Sequence, residues 1–142
     1  MPSITPSAKT LYSATIAATT NTGTLTLQVA DVYTFAVVCG TVTGTSPTLD
    51  VVFQNSPDGG TTWVNMPLRT AQLTATAAAN YFTIPQGRGT NMLADSSAVA
   101  ATGGILSENF VMSNKFRFLL TVGGTNPSFP VSIYQWTKTF AN

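Results

Sequence analysis

Apolar and polar residues alternate along much of this chain, with a period that predicts β-strands rather than helices. The alternation is clearest in three segments, 24–29, 48–56 and 130–140. In 130–140 one predicted face is aliphatic and the other carries Tyr134 and Trp136. Because successive side chains of a strand point to opposite faces, we expect the aliphatic face to be buried.

One stretch of sequence occurs twice. Residues 42–53 read VTGTSPTLDVVF, and residues 122–133 read VGGTNPSFPVSI. Each copy follows an apolar run rich in strand-forming residues, at 35–42 and 115–122. Such nearly continuous apolar runs are typical of strands buried on both faces, so these two should form the middle of the fold.

Glycine and proline in the repeated stretch predict turns. Gly44 and Pro47 in the first copy correspond to Gly124 and Pro127 in the second. Glycine adopts backbone conformations closed to other residues, and proline favours the start of a turn. We therefore predict that each copy is a hairpin, in the order strand, G-T-[SN]-P turn, strand.

The spacing of strands and turns predicts one all-β domain over residues 1–142. About eight short strands separated by turn signals are typical of an antiparallel two-sheet sandwich with jelly-roll or Greek-key topology. Residues 1–8 contain two prolines and no periodicity, which indicates an extended N-terminal arm. Residues 86–104 are rich in Gly, Ala and Ser and form the one long predicted loop.

Charged residues are scarce, which narrows the possible partners. They make up 8% of the chain and the net charge is +1, so electrostatic repulsion between copies is weak. Such a surface suits either an assembly in which neighbours cover it or a neutral coat of Thr and Ser. The six basic residues are scattered, which disfavours nucleic acid. No signal peptide or long apolar run is evident, so we expect synthesis in a cytoplasm and no membrane contact.

The residues that enzymes and metal sites use most often are also scarce. The chain has no histidine, and its one cysteine, Cys39, lies in an apolar run that predicts a core position. The acidic residues are spread along the sequence: Asp31, Asp50, Asp58, Asp95 and Glu108. We therefore expect no catalytic residues, no metal and no cofactor, and we interpret the chain as a non-enzyme.

Residues 56–63, SPDGGTTW, form the most distinctive local motif. They fit the pattern S-x-D-x-G-x-T-W and so resemble a single Asp-box of sialidases and related β-propellers. The resemblance implies a hairpin turn in which Asp58 accepts backbone hydrogen bonds, Gly60 adopts a glycine-only conformation and Trp63 packs against the base. A sugar or ion site is the alternative.

A second resemblance covers more of the chain. The series VxGTSPTLDV-x-x-Q-x-SPDGGTTW, followed by KFRFLLTVGGTxPSF, is similar to small β-sandwich proteins encoded in the structural-gene clusters of tailed bacteriophages. That resemblance implies a virion component, such as a head decoration (cement) protein or a neck or tail accessory subunit.

The leading functional hypothesis is therefore a phage capsid decoration protein, located on the capsid surface of the virion. It would bind the major capsid protein and copies of itself, as a homo-oligomer such as a trimer. The residues expected to make these contacts lie in the arm and in the long loop: Pro2, Ile4, Pro6, Arg88, Met92 and Leu93.

The alternative hypothesis is a carbohydrate-binding or adhesin-like module of a tail or neck. Here Tyr134 and Trp136 would stack on sugar rings, with Trp63 and Tyr81 as further candidates. This alternative requires Tyr134 and Trp136 to be exposed to solvent.

Overall fold

The chain forms an antiparallel all-β structure, as the sequence predicts. The computed structural model describes the backbone of residues 4–70, 72–74, 79–85, 98–99 and 113–140, and the side chains of 8–66, 70, 72–74 and 113–139. No helix occurs in these residues, and therefore none that could span a membrane. The described strands are β1 (Ile4–Ile16), β2 (Thr20–Asn21), β3 (Leu25–Thr26), β4 (Val32–Cys39), β5 (Thr43–Asn55), β6 (Val64–Thr70), β7 (Ala79–Pro85), β8 (Ala98–Val99) and β9 (Lys115–Phe140).

The fold is organised around β9, which is 26 residues long. β1, β2 and β3 pair with β9 in succession, and so do β4 and β5. β7 adds to β4, and β6 adds to β5. The C-terminal half of β9 therefore belongs to one layer with β1, β4 and β7, and the N-terminal half to another with β2, β3, β5, β6 and β8.

The predicted G-T-x-P hairpins are wrong. β5 and β9 continue through both motifs, and the two motifs pair with each other, with Thr45 opposite Thr125. The register shifts on both sides of Thr45, as in β-bulges, which bend strands. Positive φ angles occur at equivalent places in the two copies, at Gly44 and Ser46 and at Gly124 and Asn126. The turn-forming residues thus produce two facing bends in long strands.

Each motif occupies the space that a side chain would need in the other. A Cβ atom on Gly44 would lie 2.8 Å from the Asn126 carbonyl oxygen and 2.8 Å from Pro127 Cα. A Cβ atom on Gly124 would lie 2.7 Å from the Ser46 carbonyl oxygen. This reciprocity gives the paired motifs an approximate two-fold symmetry, which explains why the same sequence occurs twice.

Aromatic side chains from both layers contribute to one core. Phe35 of β4 lies in one layer, and its ring centroid is 5.7 Å from that of Phe53 in β5 and 5.5 Å from that of Phe118 in β9. Phe53 and Phe118 are themselves 5.4 Å apart. Aromatic pairs at these separations add to the stabilisation that burial already provides. Cys39 is buried in the same core, as predicted.

Two further segments differ from their predictions. Residues 4–8, expected as an arm, are the first part of β1 and pair with residues 136–140. Of the predicted strand 24–29, only Leu25–Thr26 is a strand, and Val29 is 91% exposed. The hydroxyl of Tyr33 donates to the Gln28 carbonyl and accepts from the Ala30 N–H, so this segment leaves the sheet to satisfy a buried polar group.

Candidate functional site

The turn at 56–63 is held together by one carboxylate. Asp58 Oδ1 accepts hydrogen bonds from the N–H of Thr62 (2.7 Å), the N–H of Thr61 (3.1 Å) and the hydroxyl of Ser56 (2.9 Å). The Ser56 hydroxyl in turn accepts from the Gly60 N–H at 2.7 Å. Hydrogen bonds from Thr62, together with those from Ser56 and Thr61, lower the pKa of Asp58 from 3.8 to about 2. Its donors come from the turn itself, which indicates a structural role.

Trp63 lies at the base of this turn and is covered by an arginine. The Arg117 guanidinium carbon lies 4.3 Å from the Trp63 ring centroid, which is cation–π geometry. Arg117 Nε also donates to Gln54 Oε1 at 2.7 Å, and Gln54 Nε2 donates to Asn65 Oδ1 at 2.6 Å. Trp63 is therefore engaged in the β5–β6–β9 layer and does not join Tyr134 and Trp136.

The outer face of the β1–β9–β4 layer carries the most exposed aromatic side chain of the described residues. Trp136 is 47% exposed, and Tyr134 is partly exposed beside it. Their ring centroids are 6.4 Å apart, with the ring planes inclined at 37°. We call this pair and its strand neighbours the aromatic face.

Small side chains flank both rings of the aromatic face. The β-sheet register places Ala8 and Thr34 on either side of Trp136, and Thr10 and Ala36 on either side of Tyr134. Tyr81, the further candidate from the sequence, lies on β7 opposite Ala36. Because directly opposed residues of antiparallel strands share a face, the rings stand beside short neighbours. A ligand ring can therefore reach either side chain.

Two lysines lie on the strands of this layer, and one acid, Asp31, immediately precedes β4 and donates its N–H to the Lys138 carbonyl oxygen at 2.9 Å. β1, β4, β7 and the part of β9 that pairs with β1 and β4 contain Lys9 and Lys138 and no Asp or Glu. Lys138 is exposed and lies two residues after Trp136, on the same side of the strand. Lys9 is exposed on β1, where its partner is Gln135, whose side chain is buried on the inner face. Only Lys138 thus shares the outer face with the rings.

A shallow depression of about 210 Å³ lies beside the turn at 56–63. It is lined by Asn55, Ser56, Pro57, Val64, Met66 and Ser113. Asn55 Oδ1 is buried with no hydrogen-bond partner among the described residues. Because this oxygen is buried, it is not accessible from the depression. The lining of the depression is mostly apolar.

The residues predicted to contact partners are only partly described. Ile4 and Pro6 lie in β1, opposite Phe140 and Lys138. Pro2, Arg88, Met92 and Leu93 lie outside the described residues. Of the predicted loop 86–104, Ala98–Val99 is described, as strand β8 paired with β6.

The sequence places Lys138 on the same strand face as Tyr134 and Trp136, but Lys138 was not among the predicted binding residues. The signal was present, because Lys138 continues the same alternation within 130–140.

No part of the described chain brings three His, Cys, Asp or Glu side chains together as a metal-binding group. Burial raises the pKa of the Cys39 thiol to about 11, which keeps it protonated at neutral pH. Comparisons of the chain with protein-family models, with curated proteins and with solved structures find no match.

Proposed function

We propose that this chain is a non-enzymatic structural protein of a bacteriophage virion, of the capsid decoration (cement) type. In this role it binds the assembled head and bridges neighbouring capsomers. A protein that binds only the assembled state stabilises that state, by about 2.7 kcal/mol per site when its free concentration is 100 times Kd. Its partners are the major capsid protein and further copies of itself, in a symmetry that matches the shell, such as a trimer.

One observation carries the proposal beyond the sequence resemblance: two of the charged side chains, those of Lys115 and Arg117, link neighbouring strands. Lys115 Nζ donates to Thr26 Oγ1 at 2.7 Å and so joins β9 to β3. Arg117 joins β9 to β5 through Gln54. Both side chains are therefore hydrogen-bonded within the chain. This suits a subunit that binds its partner through a complementary surface and not through these charges.

The test is made on virions of a phage that encodes this chain. Purified particles should contain the protein, and immunogold labelling should place it on the head. Heads stripped of the protein should release DNA at a lower temperature, and adding the protein back should restore the original temperature. Absence of the protein from purified virions would contradict the proposal, and label confined to the neck or tail would contradict the decoration role.

The predicted contact made by the arm needs a narrower deletion than residues 1–8. Residues 4–8 pair with β9, so their removal would also weaken the sheet. Deleting residues 1–3 leaves every described strand pair in place. If this deletion leaves head binding unchanged, Pro2 makes no essential contact.

A second candidate function is carbohydrate binding, which the exposure of Trp136 favours. Burial of Trp136 and Tyr134 would have spoken against a stacking site, and neither ring is buried. The apolar face of an aromatic ring can stack on the apolar face of a sugar ring, as it can on other flat groups.

A further inference from the structure

We propose that the aromatic face binds an acidic polysaccharide, with sugar rings on Trp136 and Tyr134 and a carboxylate at Lys138. This proposal names the ligand class for the second candidate function and rests on it. The capsid role does not enter it.

The two rings determine the shape of the ligand. A centroid separation of 6.4 Å allows successive rings of one chain to lie over the two aromatic side chains. The inclination of 37° between the rings follows a twisted ligand better than a flat one. The residues opposite Trp136 and Tyr134 on β1, Ala8 and Thr10, are short and exposed, so this side of the face is open.

The charge determines the class of ligand. Lys138 shares the outer face with the rings. The described acid beside it is Asp31, whose N–H donates to the Lys138 carbonyl oxygen at 2.9 Å. Burial and the nearby Asp31 carboxylate raise the pKa of Tyr33, a residue of the inner face, so Asp31 acts on the opposite side of the sheet from the rings. A lysine beside an exposed ring attracts an anion, and that attraction weakens as salt is added. A neutral sugar would use only the rings, whereas a uronate chain would use the rings and the lysine together.

The hydroxyl groups beside the rings fit the same ligand. Thr10 and Thr34 flank Tyr134 and Trp136 in the register, and a threonine hydroxyl can both donate and accept hydrogen bonds. Sites for small polar ligands combine apolar surface with a few such groups.

The experiment compares two ligands with the same sugar backbone, one with free carboxylates and one in which each carboxylate is a neutral methyl ester. The full chain is titrated calorimetrically, at low salt, with an oligogalacturonide and with its fully methyl-esterified form of the same length. We expect the acidic oligomer to bind at least about tenfold more tightly than the ester, and this advantage to shrink several-fold when salt shortens the Debye length.

Three variants locate the site. Trp136→Ala should weaken binding of both oligomers at least about tenfold. Lys138→Gln should lower the affinity for the acidic oligomer to that of the ester and leave the ester unchanged. Lys9→Gln is the matched control, because it removes the same charge from a position whose cross-strand partner, Gln135, faces the inner side of the sheet. It should change either affinity less than about twofold, and circular dichroism should show that all three variants are folded.

The outcomes separate the ligand class from the function itself. Equal affinity for the two oligomers, with loss of both in Trp136→Ala, would overturn the acidic class and keep carbohydrate binding. No binding of either oligomer would overturn both. Equal effects of Lys138→Gln and Lys9→Gln would overturn the assignment of the charge contact to Lys138. None of these results bears on virion assembly, which is tested separately.

Discussion

Replacing Gly44 by alanine tests the most unusual contact in the fold, where the two G-T-x-P motifs press against each other. The new methyl group would lie 2.8 Å from the Asn126 carbonyl oxygen, 2.8 Å from Pro127 Cα and 3.0 Å from the Thr125 carbonyl oxygen. All three are backbone atoms of β9, so no side chain can rotate away to make room. The substitution therefore requires one bend to move relative to the other.

Two terms contribute to the loss of stability. Gly44 has φ of +115°, where a residue with a Cβ is strained by about 1–3 kcal/mol. Forcing an extra carbon into a packed site costs about 1–3 kcal/mol more. The reduced entropy of the unfolded chain offsets about 0.4–1 kcal/mol. The free energy of unfolding should thus fall by about 1–6 kcal/mol, which at its upper end is a large part of the 5–15 kcal/mol typical of a domain.

Gly23→Ala is the matched control. Gly23 also has positive φ, at +77°, but a Cβ there would have no neighbour within 4 Å. It should lose only the backbone term, a net cost of about 1 kcal/mol. Urea unfolding monitored by tryptophan fluorescence gives both free energies on the same scale. A cost for Gly44→Ala no larger than that for Gly23→Ala would refute the close approach of the motifs.

A double substitution sharpens the same test. If Gly44 and Gly124 hold one shared contact, the first alanine opens the bend and the second costs less. Their combined effect should then be smaller than the sum of the single effects by about 0.5–3 kcal/mol. Additive losses would mean that the two bends relax independently.

Three other predictions concern the turn, the core and the cysteine. Because the pKa of Asp58 is lowered in the folded protein, its stabilising contribution is complete above about pH 4 and is lost as pH falls towards 2. A plot of Tm against pH should show this loss for the native protein. The same acid-dependent fall in Tm in Asp58→Asn would contradict the assignment to Asp58. Phe118→Ala should lower the free energy of unfolding by about 3–5 kcal/mol in urea titrations, because the ring is fully buried between other rings, and a loss below about 1 kcal/mol would contradict that packing. Cys39 should not react with a thiol reagent until the chain unfolds, so rapid labelling of the native protein would contradict its burial.

Local patterns predicted the faces of two of the three segments with the clearest alternation, and failed for 24–29. The alternation in 48–56 placed Leu49, Val51 and Phe53 on one face, and all three are buried. The alternation in 130–140 separated a buried face from the exposed one that carries Trp136. These predictions succeeded because one face of each strand packs against the core, which leaves a period of two in the sequence.

The arrangement of those strands could not be predicted in the same way. Gly44 and Ser46 have positive φ in the observed bend, and a hairpin turn would require the same backbone conformation. The same residue types therefore suit a bend and a hairpin equally well. What distinguishes the two structures is the partner strand, which lies some 80 residues away. The prolines of residues 1–8 likewise indicate an extended arm, yet Pro6 lies in β1. Among the described strands β1 pairs with β9 alone, and proline is tolerated in such an edge strand.

The site was only partly predictable for a related reason. Trp136 and Tyr134 follow from alternation within one strand. Their flanking residues Ala8 and Thr34 come from two other strands, and only the register brings them beside Trp136. Short flanking residues decide whether the ring is exposed, and no local pattern contains that information.

The position of β9 in the sequence also affects how the chain is made. β1, β2 and β3 have β9 as their described partner, yet Lys115 and Thr26, which contact each other, are 89 positions apart. At about 5–20 residues per second, a ribosome needs roughly 5–20 s to synthesise that interval. During this time the N-terminal strands are already synthesised and have no β9 to pair with, so chaperone binding at this stage would favour folding over aggregation.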